Sequence, residues 1–145
     1  MSLDEIRAKI DSLDRQIVAL LNERYKHVIE VGHYKKGVSS AFYVPEREKA
    51  VFEKLEGINE GPMTNTTLRA IYREIMSGAL SLEYPMSVGY LGPEATFTHL
   101  AAISKFGHSV GYVAKACISD IFSDLENSRI DYGCVPIENS TEGAV

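Results

Sequence analysis

The chain has no tryptophan, only two cysteines and five prolines in 145 residues. It also lacks any run of 18 apolar residues. Two cysteines, Cys117 and Cys134, cannot build a disulfide framework, and their spacing matches no zinc motif; reduced thiols are expected. The four histidines (27, 33, 99 and 108) form no ligand pattern, so no metal site and no metal cofactor is predicted. Without a long apolar run or a signal peptide, a soluble cytoplasmic protein is expected, with no membrane partner. Positive charge is scarce too: the net charge is −5, which argues against a nucleic-acid partner. The cations that exist are unevenly spread. Residues 1–85 carry 12 Lys and Arg against 13 Asp and Glu, whereas residues 86–145 carry three against seven.

What is present begins with a helix signal of unusual length. From Leu3 to about Lys36 no proline intervenes, and Leu3, Ile6, Ile10, Leu13, Ile17, Leu20, Val28 and Val31 recur at alternating threes and fours. About 34 residues make a rod of roughly 50 Å, too long for a domain of this size to cover, so a second copy of the chain is the simplest partner. The seam contains cations. At about 100° per residue Arg24 points along the mean direction of Ile17, Leu20, Val28 and Val31, with Lys35 about 20° away. Arg7 sits at the seam edge near Ile6 and Ile10. Buried cations are costly unless they meet an anion. From the residues alone, two readings stand: Arg24 sets coiled-coil register while Lys35 snorkels to water, or these cations build a buried anion site.

The helix should fray near Gly37, with Ser39 and Ser40 in a loop, and a second helix opened by Pro45 should follow, with Val51, Phe52 and Leu55 on its apolar face and Gly57 as its stop. Thr64 or Asn65 can cap a third helix, whose stripe is Leu68, Ile71, Tyr72, Ile75, Ala79 and Leu82. Glu83 lies about 40° from Ala79, close enough to face the same interior. Pro85 ends this helix and marks a domain boundary, giving units 1–85 and 86–145. Beyond it the pattern alternates: strands at Ser87–Leu91, Val110–Val113 and Tyr132–Val135, helices at Thr96–Phe106 and from a Ser119 cap to about Asn127. Such alternation predicts a parallel α/β sheet. Sixty residues with three strands make a small core, so this part reads as the beginning of a larger domain.

Two groups of motifs carry a resemblance. Arg7, Leu20-Leu21-Asn22-Glu23-Arg24, Val31-Gly32-His33-Tyr34-Lys35 and Pro45-Glu46-Arg47-Glu48 resemble the all-helical chorismate mutases. Gly89-Tyr90-Leu91-Gly92-Pro93-Glu94-Ala95-Thr96-Phe97 and Pro136-Ile137-Glu138-Asn139-Ser140 resemble the start of a prephenate dehydratase domain. The order is similar to that of the bifunctional enzymes of bacterial phenylalanine biosynthesis. The resemblance implies an all-α three-helix domain, assembled as a dimeric helical bundle, followed by part of an α/β lobe of periplasmic-binding-protein-like type. It implies the isomerisation of chorismate to prephenate without a cofactor, in a homodimer whose Arg7 is donated across the interface.

The same resemblance gives roles. Arg24 and the partner's copy of Arg7 match carboxylate clamps, Lys35 the cation on the ether oxygen, Glu48 the acceptor for the substrate hydroxyl, and Arg47 a supporting cation. Glu83 stands where many members have glutamine as second donor to the ether oxygen; only a protonated carboxyl donates, so the pH behaviour should differ. Val44 and Ala79 replace a common acidic residue and a common serine. In the second unit Thr96, Asn139 and Ser140 match elements near a dehydratase ligand, although Thr96 reads equally as a helix cap. The family's Thr-Arg-Phe motif is expected in a second lobe, so this chain is expected to lack dehydratase activity, and truncation after Glu83 or Tyr84 to spare mutase activity. A non-catalytic dimerisation or ligand-binding module is the remaining reading; five charged residues retained at matching positions (Arg7, Arg24, Lys35, Arg47 and Glu48) speak against it.

Overall fold

The computed structural model describes residues 1–38, 43–94 and 96–137. Three helices come first: α1 (Leu3–Val38), α2 (Pro45–Ile58) and α3 (Asn65–Glu83). Then come β1 (Ser87–Leu91), α4 (Phe97–Phe106), β2 (Gly111–Lys115), α5 (Ile118–Glu126) and β3 (Tyr132–Cys134). The strands form one parallel sheet in the order β2-β1-β3, with Val88 opposite both Tyr112 and Tyr132. Among the described residues, no helix is long and apolar enough to cross a membrane.

Local chemistry explains most boundaries. Thr64 accepts from the Thr67 amide and caps α3; Thr96 does the same for α4 through the His99 amide. Gly107 ends α4 at φ +78°, a conformation that favours glycine. Some expectations are corrected. The α2 helix runs one residue past Gly57 and stops at Asn59, which is extended. Ser119 does not cap α5: the helix begins at Ile118, after an extended Cys117 that makes no side-chain cap bond. The β2 strand starts at Gly111, one residue after the buried Val110, and runs to Lys115, and β3 ends at Cys134. The expected loop residues Ser39 and Ser40 lie outside the described residues.

The α1 seam is uncovered in the single chain. Leu3, Ile6, Ile10, Leu13, Ile17 and Leu20 are all between 42% and 63% exposed. Only the C-terminal part of α1 packs on α3. There Gly32 is buried against Glu83, and the Tyr25 hydroxyl donates to the Ile75 carbonyl at 2.8 Å. The buried face of α3 is rotated from the expected stripe. Leu68, Met76, Ser77, Ala79 and Leu80 are buried, whereas Ile71 and Leu82 are exposed. The rotation has a cause: α4 packs on α3, and Ser77 faces the segment after α4, where its Oγ accepts from the Ser109 amide at 3.0 Å.

Pro85 therefore does not divide the core. Leu80 of α3 and Tyr43, from the segment before α2, share one buried cluster with Met86, Val88, Ala102, Phe106 and Val110. Val88 is fully buried; such a side chain contributes about 1.5–3 kcal/mol relative to leaving it in water.

Candidate active site in the cleft between the three helices

A cleft of about 260 Å³ opens where the C-terminal part of α1, the first turns of α2 and the C-terminal half of α3 converge. It lies just below the roughly 300–1,000 Å³ of common ligand pockets and suits a compact ligand. Its charged lining is Arg24 and Lys35 from α1, Arg47 and Glu48 from α2, and Glu83 from α3. Val28, Val31, Val44, Val51, Met76, Ala79 and Leu80 supply apolar wall. Helical spacing explains the α1 contribution: Arg24, Val28, Val31 and Lys35 stand one turn apart on a single face.

The side chains are held from behind. The Lys35 ammonium and a Glu83 carboxylate oxygen are 3.2 Å apart, with the two side chains 17% and 10% exposed. Glu48 is gripped by Arg73, whose Nη1 and Nη2 each donate to one carboxylate oxygen at 2.9 Å. Arg73 was not anticipated from the sequence. Its guanidinium also stands 5.8 Å from the Phe52 ring. The signal was there: Arg73 lies on the same α3 line as Met76, Leu80 and Glu83, a cation on a buried stripe much like Arg24.

With Glu48 neutralised by Arg73 and Glu83 by Lys35, no lining carboxylate among the described residues remains to offset Arg24 and Arg47. Arg24 Nη1 is buried without a hydrogen-bond partner among the described residues, and its guanidinium lies 5.8 Å from the Tyr72 ring. A buried, unpartnered guanidinium N–H is costly unless an acceptor arrives. The arrangement can therefore receive an anion bearing a carboxylate, with Lys35 and Glu83 at one end and Glu48 at another. Among the described residues no cluster of His, Cys, Asp and Glu could hold a metal ion.

Arg7 is absent from this cleft. It is exposed on α1, 17 residues before Arg24, or about 25 Å along the helix. In the second unit Thr96 serves as a cap, and its hydroxyl also donates to the Leu91 carbonyl at 3.3 Å. Asn139 and Ser140 lie outside the described residues. Two tyrosines near the junction have strongly shifted hydroxyls. Burial pushes Tyr43 up to about 12, with Glu48 adding to the effect, and burial likewise pushes Tyr112 up to about 12.

Comparison with known proteins places these observations. The profile of the family "Chorismate mutase type II" matches residues 6–84, and that of "Prephenate dehydratase" matches residues 88–145. The chain is 46% identical to a bifunctional chorismate mutase/prephenate dehydratase of Aquifex aeolicus over 99% of its own length and 41% of the relative's. It is 43% identical to the protein of the same description from Stutzerimonas stutzeri, over 99% of this chain and 40% of that one. It thus spans about two fifths of the curated relatives it matches. Among solved structures, form II of the chorismate mutase of Thermus thermophilus aligns with a TM-score of 0.55 and 32% identity, covering 56% of this chain and 92% of the other. With more than half of its length matched by the family profile, and a solved chorismate mutase covering 56% of it at 32% identity, the chain belongs to the type II chorismate mutase family.

Proposed function

We propose that the cleft converts chorismate to prephenate. One observation carries the reading: a half-buried Arg24, whose Nη1 is buried with no hydrogen-bond partner among the described residues, shares a compact cleft with the Lys35–Glu83 pair and Glu48. Chorismate is a small dianion with two carboxylates, an ether oxygen and a hydroxyl. Its rearrangement breaks the ether C–O bond and forms a C–C bond within the same molecule, so no atom enters or leaves and no nucleophile is needed. What helps is to hold the compact conformer and to meet the charge that grows on the ether oxygen. In this reading Arg24 takes a carboxylate in two bonds, and Arg47 supports the ring and carboxylate from the rim. Lys35 donates to the ether oxygen, Glu83 holds the Lys35 ammonium in place for it, and Glu48 accepts from the hydroxyl. No cofactor has a step to perform.

The second carboxylate needs another cation, and Arg7 of a partner subunit supplies it. The exposed seam from Leu3 to Leu20 supports a homodimer, because a monomer would leave that stripe in water. For residues 88–145 the proposal is the first part of a dehydratase lobe of periplasmic-binding-protein-like type, contributing Thr96, Asn139 and Ser140 to a site for prephenate in the longer bifunctional proteins. A cytoplasmic location fits a biosynthetic enzyme of soluble metabolites. The test is direct: chorismate is added to the purified chain and its absorbance followed. Loss of the chorismate signal with stoichiometric prephenate is expected. A wild-type rate equal to the spontaneous one, with binding retained, would leave a ligand-binding module instead.

A further inference from the structure

The α2 helix brings Arg47 and Glu48 to the cleft, yet it has little of its own to hold its first turn. Val44 stands at the N-cap and has no side-chain acceptor; only its carbonyl receives N–H groups, from Arg47 at 3.1 Å and Glu48 at 3.2 Å. No residue of α2 is buried. Arg73 holds the tip of Glu48, which leaves the backbone of that turn to be fixed from elsewhere. The anchor is the preceding residue. Tyr43 is 7% exposed, and its ring packs 5.1 Å from Phe106 and edge-on 5.3 Å from Tyr132. Both partners belong to the α/β unit: Phe106 ends α4 and Tyr132 opens β3.

That cage is itself seated firmly on α3. The Glu74 carboxylate accepts from the His108 amide at 2.8 Å, and Ser77 from the Ser109 amide at 3.0 Å. Gly107 lies so close to Ser77 that an added Cβ would come within 2.4 Å of the Ser77 Cβ. One face of α3 thus holds the α/β unit while Met76, Ala79, Leu80 and Glu83 line the cleft. The position of the Tyr43 cage relative to the cleft wall is fixed through one rigid helix.

We propose that Tyr43 is a positioning residue for the mutase reaction: caged by Phe106 and Tyr132, it sets where Val44 and the first turn of α2 stand at the cleft, which makes the α/β unit part of the substrate-binding apparatus of the helical one. The inference rests on reading the cleft as the chorismate site. The ring is the anchor, not the hydroxyl. The Tyr43 hydroxyl is buried and has no hydrogen-bond partner among the described residues, so removing it costs no interaction.

The experiment compares the full chain with Tyr43→Ala, Tyr43→Phe, Phe106→Leu and the double variant Tyr43→Ala/Phe106→Leu. Two readouts are taken: kcat and KM for chorismate, and amide hydrogen exchange at Arg47 and Glu48. Misplacing a binding group by about 1 Å can cost up to about a hundredfold; since α2 keeps its Arg73 tether, Tyr43→Ala should raise KM roughly tenfold with kcat within about threefold. Phe106→Leu, remote from the substrate, should shift KM in the same direction. Tyr43→Phe should match wild type. The double variant should be no worse than Tyr43→Ala, because both act through one cage. Exchange at Arg47 and Glu48 should quicken in the first and last variants but not in Tyr43→Phe. Unchanged KM and unchanged exchange in folded Tyr43→Ala would overturn the proposal, as would a Phe106→Leu effect that adds fully to it. If wild type turns over no chorismate, the functional reading falls, and amide exchange still decides whether Tyr43 holds that turn.

Discussion

Removing Arg73 should unfold the helical unit as much as disable it. Its guanidinium and the Glu48 carboxylate meet through two 2.9 Å bonds, with the side chains only 13% and 16% exposed. Deleting one partner of such a pair leaves an uncompensated charge, at a cost of about 3–5 kcal/mol. Some water still reaches the pair, so the lower end is expected, about 3 kcal/mol. For a chain of this length each kcal/mol moves Tm by roughly 2–4 °C, which places Arg73→Met about 6–12 °C below wild type. Adding Glu48→Gln removes the stranded charge, and the double variant should regain most of the loss. A coupling of at least about 2 kcal/mol between the two sites is expected. The assay is thermal unfolding of the four proteins of the cycle, under conditions where melting is reversible. A loss below about 1 kcal/mol in Arg73→Met, or purely additive effects, would refute the reasoning and put the pair among ordinary surface salt bridges. Activity separates the roles: Arg73→Met/Glu48→Gln should fold but bind chorismate more weakly, because a neutral amide oxygen without the Arg73 tether is a poorer acceptor for its hydroxyl than the held carboxylate.

Three further outcomes follow from the geometry. Mixed chains of Arg7→Ala and Lys35→Ala should regain activity by forming one intact site per heterodimer; no recovery after verified subunit exchange would sink the shared site. Glu83→Gln keeps a hydrogen-bonding side chain beside Lys35 and should retain much of the turnover, while Glu83→Ala loses rate throughout; wild-type turnover in Glu83→Ala would remove Glu83 from the site. Glu74 is pushed up by burial, but the amide and ring of His108 outweigh this and hold it below its ordinary 4.5. A lowered carboxyl stabilises the fold above its ordinary range and loses that contribution as pH falls through the folded-state value. Protection of the His108 amide against exchange should therefore fall in acid, and Glu74→Gln should remove the transition.

The α1 helix was legible because a three-four repeat without proline admits little else, and its cations stood out against the apolar seam. Arg24, Lys35, Arg47, Glu48 and Glu83 line one cleft. Periodicity misread the α3 stripe for a physical reason: Ile71 and Leu82 follow the helical period, but Ser77 and Leu80 have α/β neighbours that no local pattern announces. Arg73 meets Glu48 across 25 residues of sequence, and Tyr43 meets Phe106 and Tyr132 across still more. Such long-range pairings leave no spacing to read. The cap of α5 was misplaced because Ser119 looked like a capping residue, while the chain turns two residues earlier, at Cys117, without a side-chain bond.

The two-sided use of α3 has a consequence for how such proteins can be cut and rejoined. A residue inserted between Ser77 and Ala79 would turn everything after it by about 100°. Ala79, Leu80 and Glu83 would leave the cleft, and the joint at Met86 would turn with them, away from the Glu74 and Ser77 that grip Gly107–Ser109. The helix works like a key cut on both edges, in which neither edge can be recut alone. A chimaera joined at Pro85 would carry foreign residues opposite Glu74, Ser77 and Tyr43. Exchange between relatives should succeed only when those three positions travel with the α/β unit, so the natural seam for recombination runs along the outer face of a helix rather than through the loop that follows it.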